Sequence, residues 1–133
     1  MALLSKEQIT AADDRQWEDV DVPEWGGTVR VLGMSGTDRN AYQASLVVLG
    51  SNGNVQRMNM TDQLAKLVAK SVVGENFERL FSDNEVKELG KKNGAVLERI
   101  GQVAQRLSGL RKEDVEAKAG NSEAPQSGAS TSD

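Results

Sequence analysis

Asp13, Asp14, Glu18, Asp19, Asp21 and Glu24 form the densest set of side chains in this sequence that could hold a metal ion. Carboxylates are hard oxygen ligands, so the chemistry to consider is Mg²⁺ or Ca²⁺ binding. Their spacing lacks the Asp-x-Asp-x-Asp-Gly order and the closing Glu of a calcium loop. The expected state is a solvated acidic face with no metal bound. Composition removes most other site chemistry. The chain has no His, the commonest general base and transition-metal ligand, and no Cys, which excludes disulfides and thiolate zinc sites. No Ser-His-Asp or Cys-His arrangement can be built. Gly26-Gly27 and the stretch Gly33–Gly36 lack the Lys and the strand-to-helix setting of a phosphate loop. No cofactor and no enzymatic activity are expected.

With catalysis set aside, apolar side chains remain as the means of binding something. The chain has 133 residues, 38% of them hydrophobic, enough for one modest core. The aromatics are Trp17, Trp25, Tyr42, Phe77 and Phe81, so a core must rest on Leu, Val, Ile and Ala. Two sets of residues are candidates for a partner surface. One is Trp25, at a turn, where it either folds down over the neighbouring strands or stands out as an anchor, a role for which Trp is enriched. The other is Val96, Ile100, Val103, Leu107 and Leu110, which recur at steps of four and three residues and make an apolar seam along one helix. That seam serves either the protein's own core or a partner helix, including a second copy in a homo-oligomer.

The elements that must position these residues follow from local signals. Ser5 and Gln8 form a capping box, which predicts a short helix from Lys6 to about Ala12. Trp17–Val22 and Thr28–Leu32, joined by Pro23-Glu24-Trp25-Gly26-Gly27, read as one β-hairpin over about residues 17–32. Ser35 caps a helix from Thr37 to about Val48, with Tyr42, Ser45, Leu46 and Leu49 on one face. Asn52-Gly53 centres a turn, and Val55–Met60 is polar and weakly patterned. Thr61 is the expected cap of a helix from Asp62 to about Val73, whose stripe is Leu64, Leu67, Val68, Ser71 and Val72. Glu75–Phe81 reads as a connector, and Ser82 with Glu85 as a third capping box opening a short helix that Gly90 stops. The last long helix, Ala95–Ser108, carries the seam, and one more turn is expected around Glu113–Glu116. No large hydrophobe occurs from Ala119 to Asp133, so that stretch is expected to be a disordered tail. The expected class is α+β, mainly α: a short N-terminal helix, one hairpin and a bundle of about four helices, forming a single domain over residues 1–118 with a tail over 119–133.

Charge narrows the partners. Residues 1–24 hold two bases against seven acids, whereas residues 85–112, from Glu85 to Lys112, hold seven bases against three acids. The total is −4, which argues against nucleic acid as the partner because phosphate contacts need a dense basic surface. No apolar signal core follows Leu3-Leu4, and no run reaches the roughly eighteen apolar residues of a membrane span, so a soluble intracellular protein with no membrane partner is expected.

Four segments, in order, resemble the tail assembly chaperones of long-tailed, siphovirus-type bacteriophages. They are Ser5–Arg15 running into Val20-Asp21-Val22-Pro23-Glu24-Trp25-Gly26-Gly27-Thr28-Val29-Arg30-Val31, then Gly33-Met34-Ser35-Gly36-Thr37-Asp38-Arg39, Leu80-Phe81-Ser82-Asp83, and Ala104-Gln105-Arg106-Leu107-Ser108-Gly109-Leu110. The resemblance spans residues 3 to about 123. It implies a protein encoded next to the tape-measure protein, which binds that long helical partner in the host cytoplasm, keeps it soluble and is absent from the mature virion. It also implies recruitment of the tail-tube protein through a longer, frameshifted form. The rival readings are a head-tail connector or tail-terminator component retained in the virion, and a small nucleic-acid-binding regulator using Lys87–Lys112.

Overall fold

The computed structural model describes residues 2–110 of the chain. The turn expected around Glu113–Glu116 and the tail over 119–133 lie outside the described residues. Helix α1 (Lys6–Ala11) begins where its capping box places it: Gln8 N donates to Ser5 Oγ at 3.1 Å, and Ser5 N donates to Gln8 Oε1 at 2.8 Å. None of its residues is buried.

Strands β1 (Trp17–Val22) and β2 (Gly27–Leu32) form the expected antiparallel hairpin, in register from Trp17↔Leu32 to Val22↔Gly27. The connector is a 3₁₀ turn over Pro23–Trp25, where the fixed φ of proline suits the first position. Gly26 closes it at φ 81°, a left-handed conformation that glycine adopts without steric cost.

Helix α2 (Gly36–Ala44) is capped by Ser35 Oγ, which accepts from Asp38 N at 3.1 Å. It stops earlier than the sequence pattern suggests. Val47–Leu49 leaves the helical path as β3 and pairs antiparallel with β4, Val55–Met58. Consecutive Val residues favour a strand over a helix, and Asn52-Gly53 supplies the hairpin turn, with Gly53 at φ 84°. The expected count of one hairpin is therefore corrected to two, and Val55–Met58, polar and weakly patterned in sequence, is a strand.

Helix α3 (Gln63–Ser71) follows Asp62, which sits at φ 56° and makes no side-chain cap. Thr61 is thus not the cap; its own N–H donates to Asn59 Oδ1. The helix ends before Val72–Val73, which becomes β5 and pairs antiparallel with β2 through Arg30↔Val73 and Val31↔Val72. The result is a three-stranded sheet in the order β1-β2-β5 beside the two-stranded β3-β4 sheet.

Ser82 and Glu85 form the third box, with Ser82 N donating to Glu85 Oε1 at 2.8 Å, and lead through a 3₁₀ turn into α4 (Val86–Leu89). Asn93 caps α5 (Gly94–Leu107) by accepting from Ala95 N at 2.8 Å.

These helices do not stand as a bundle. Helices α3 and α5 pack on each other, and α5 also packs on β1 and β2, so helices and sheet form two layers around one core. The sheet contributes because Val20, Val22 and Val31 recur on one pleat face and are all buried. Where the layers meet most closely, a Cβ on Gly33 would lie 2.5 Å from the Leu107 carbonyl oxygen, a separation that admits only glycine. Met34 N beside it donates to the buried Ser108 hydroxyl at 2.8 Å, which fixes the end of α5 against the end of β2. No helix among the described residues is long and apolar enough to cross a membrane.

Candidate functional site

The α5 seam lies inside the molecule. Val96, Ile100 and Leu110 are buried in the core, and Val103 and Leu107 pack partly buried against it. Of the two destinations open to the seam, the protein's own core is the one it occupies in this fold. Trp25 is at the 3₁₀ turn and 39% exposed, so it is not buried over the hairpin.

The acidic stretch is more structured than a solvated face. Arg99 grips Glu24 through two bonds, at 2.6 and 2.9 Å, and also points toward the Asp21 carbonyl. Arg106 reaches Glu18 at 2.8 Å. Both pairs tie the hairpin to α5, far away in sequence. Arg30 grips Asp19 across the β1–β2 ladder at 2.8 and 3.1 Å. Hydrogen bonding to Arg99 holds the Glu24 carboxyl at about 2, and the bond to Arg30 keeps Asp19 below the usual carboxylate range. Two cations of the basic stretch are thereby neutralised within the protein. No group of three or more acidic side chains among the described residues converges where it could hold a metal ion.

A second arrangement joins residues that their positions in the chain do not connect. Trp17 at the start of β1 and Phe77 in the loop after β5 meet edge to face, with ring centroids 5.5 Å apart and planes at 65°. The Arg30 guanidinium lies 4.3 Å from the Trp17 centroid and 5.2 Å from that of Phe77. Phe77 holds its place at φ 63°, a left-handed conformation that is rare for a bulky residue. Trp17 and Phe77 are 48% and 40% exposed, and Leu80, which lines a depression together with Arg30, is 52% exposed. The sequence offered one partial signal: Trp17 is an aromatic on the strand face opposite Val20 and Val22. The meeting with Phe77 depends on β5 joining the sheet and on the loop behind it folding back, through Gly74 N to Glu78 O at 2.8 Å and Leu80 N to Val72 O at 3.2 Å.

A family model described as phage tail assembly chaperone matches residues 5–121, nearly the whole chain. The chain belongs to the phage tail assembly chaperone family. A solved structure, the tail assembly chaperone of bacteriophage HK97, superimposes with a TM-score of 0.56 at 19% sequence identity, covering 80% of this chain and 95% of that one. At that identity the likeness is one of fold. No curated protein sequence matches the chain. Membership in a non-enzymatic chaperone family accords with a chain that has no His or Cys and in which Glu18, Asp19 and Glu24 are each paired with an arginine. The segments that carry the resemblance to tail assembly chaperones fall at points that shape the fold. They are the hairpin turn at Pro23–Gly27, the cap of α2 at Ser35, the segment Leu80–Asp83 ahead of α4, and the end of α5.

Proposed function

We propose that this chaperone binds the tape-measure protein of its phage in the host cytoplasm, keeps it soluble while the tail tube assembles, and then leaves. The match to the tail assembly chaperone family over residues 5–121 carries this reading. The physical task suits the molecule. A long helical protein presents apolar stripes that aggregate when uncovered. A small domain with exposed apolar side chains covers a stripe at modest affinity, and many copies along one ligand add avidity. Modest affinity per copy lets tube subunits displace the chaperone without ATP or any covalent step. A longer form of the chain carrying an extra domain would recruit the tube subunits.

Co-expression tests the reading. Tape-measure protein made alone should be mostly insoluble; with this chain it should move to the soluble fraction and co-purify, in the presence of chelator as well. Mass spectrometry of purified virions should not find the chain. Tape-measure protein that is equally soluble with and without the chain, and never co-purifies, would overturn the proposal. Finding the chain in virions would favour a structural tail or connector component.

A further inference from the structure

Helix α5, with α3 packed on it, covers one face of the three-stranded sheet. On the other face Trp17, Asp19 and Asp21 of β1 stand beside Leu32, Arg30 and Thr28 of β2, and the loop after β5 lays Phe77 and Leu80 against the same side. The Trp17–Arg30–Phe77 stack is therefore a platform, held in place before any partner arrives. Trp and Arg are the residue types most enriched where binding energy concentrates. Next to it lies a depression of about 340 Å³ lined by Asp19, Thr28, Arg30, Val73, Glu75 and Leu80. Val73 and Leu80 give it apolar lining, Asp19 and Glu75 give it acidic lining, and Asp21 is exposed nearby. Arg30 answers only part of that charge, being gripped by Asp19 and influenced by Glu75, so the rim is net negative.

The dimensions suit one kind of occupant. A six-residue strand runs for roughly 20 Å, and three strands span about 10 Å from first to last. An α-helix is about 10 Å across, and three of its turns occupy roughly 16 Å. Layered proteins cover a sheet face with a helix, as α5 covers the inner one. Resting on the reading that this chain binds the tape-measure protein, we propose that the outer sheet face is the docking site, and that it selects helices whose apolar stripe is flanked by Lys or Arg. The stripe lies on Trp17, Phe77 and Leu80, and a flanking cation enters the depression between Asp19 and Glu75. The acidic rim then gives register and rejects stripes flanked by acids.

The test uses the full chain, tagged and co-expressed with the tape-measure protein, and measures how much of that protein each variant retains. Phe77→Gly is the decisive variant. Glycine adopts the positive φ of that position freely, so the ring is lost while the backbone is relieved. Trp17→Ser and the double reversal Asp21→Lys/Glu75→Lys probe the rest of the platform and the rim. Loss of a hot-spot side chain should weaken binding by roughly 30-fold or more. The expected result is that each variant keeps the wild-type thermal midpoint within a few degrees and loses retention, and that the double reversal loses most at low salt. If Trp17→Ser unfolds, Phe77→Gly alone decides. Wild-type retention matched by undiminished retention in Phe77→Gly would overturn this site and leave the proposed function standing. No retention by the wild type would overturn both. If Phe77→Gly instead changes the size of the purified chain on gel filtration while still retaining tape-measure protein, a second copy occupies the face and the proposal is wrong.

Discussion

The two faces of the β1-β2-β5 sheet are built from alternate residues of the same strands and are held by different forces. On the inner face Val20, Val22 and Val31 are buried against a core that includes Ile100, Leu67 and Val68. On the outer face, one residue along, Asp19 is clasped by Arg30, and Trp17 packs against Phe77 in the open. Buried apolar area is non-directional and stabilises whatever shape fills the space. Ion pairs and edge-to-face rings are directional, and exposed pairs add little stability. The inner face is thus the main stability surface, whereas on the outer one only Leu32 and Val73 are buried and the exposed side chains are held by directional contacts.

Substitutions should separate the two. The largest effect belongs to the inner layer: Ile100→Ala, at a fully buried position, should cost about 2–5 kcal/mol in urea unfolding. A cost below about 1 kcal/mol would mean that α5 is not packed as described, because even a single buried methylene is normally felt.

The ties between hairpin and helix should show a smaller effect that depends on pH. The folded-state value of Glu24 is about 2 and its ordinary value is 4.5. As the pH falls below 4.5 the unfolded chain takes up the proton first, so the contribution of the pair is fully present above that value and is lost as the pH approaches about 2. Glu24→Gln should therefore be less stable than wild type near neutral pH, and the two should converge in acid. A difference that stays constant across this range would show that Arg99 does not hold Glu24 in solution.

The smallest effect concerns the arm before β1. Helix α1 buries no residue, and Leu3, Leu4 and Ile9 all face solvent. Deleting residues 2–12 should move the thermal midpoint by less than about 2 °C, under what one kilocalorie shifts in a domain of this size. A fall of many degrees would mean that the arm rests on the body and belongs with the inner layer.

Features that local chemistry controls are legible in the chain before any long-range contact forms. Ser5, Ser35 and the Ser82/Glu85 box mark where helices begin, because a cap needs only the N–H groups two or three residues ahead. Pro23 and Gly26 set the first hairpin, and the absence of His and Cys removed most catalytic chemistry. The second hairpin was partly legible, since Asn52-Gly53 between Val47-Val48 and Val55 is a strong hairpin signal, but the helical spacing of Tyr42, Leu46 and Leu49 competed with it. Long-range pairing sets where α2 and α3 stop, and the fold alone supplies it, because the partners that draw Val47–Leu49 and Val72–Val73 into strands are not their neighbours in the chain. The fold also decided that the α5 seam faces inward, since a 3.6-residue period records that one face is apolar and not what covers it. The meeting of Trp17, Arg30 and Phe77 is of the same kind: strand pairing and a loop closed on the sheet bring them together, and neither force is visible to residues read a few at a time.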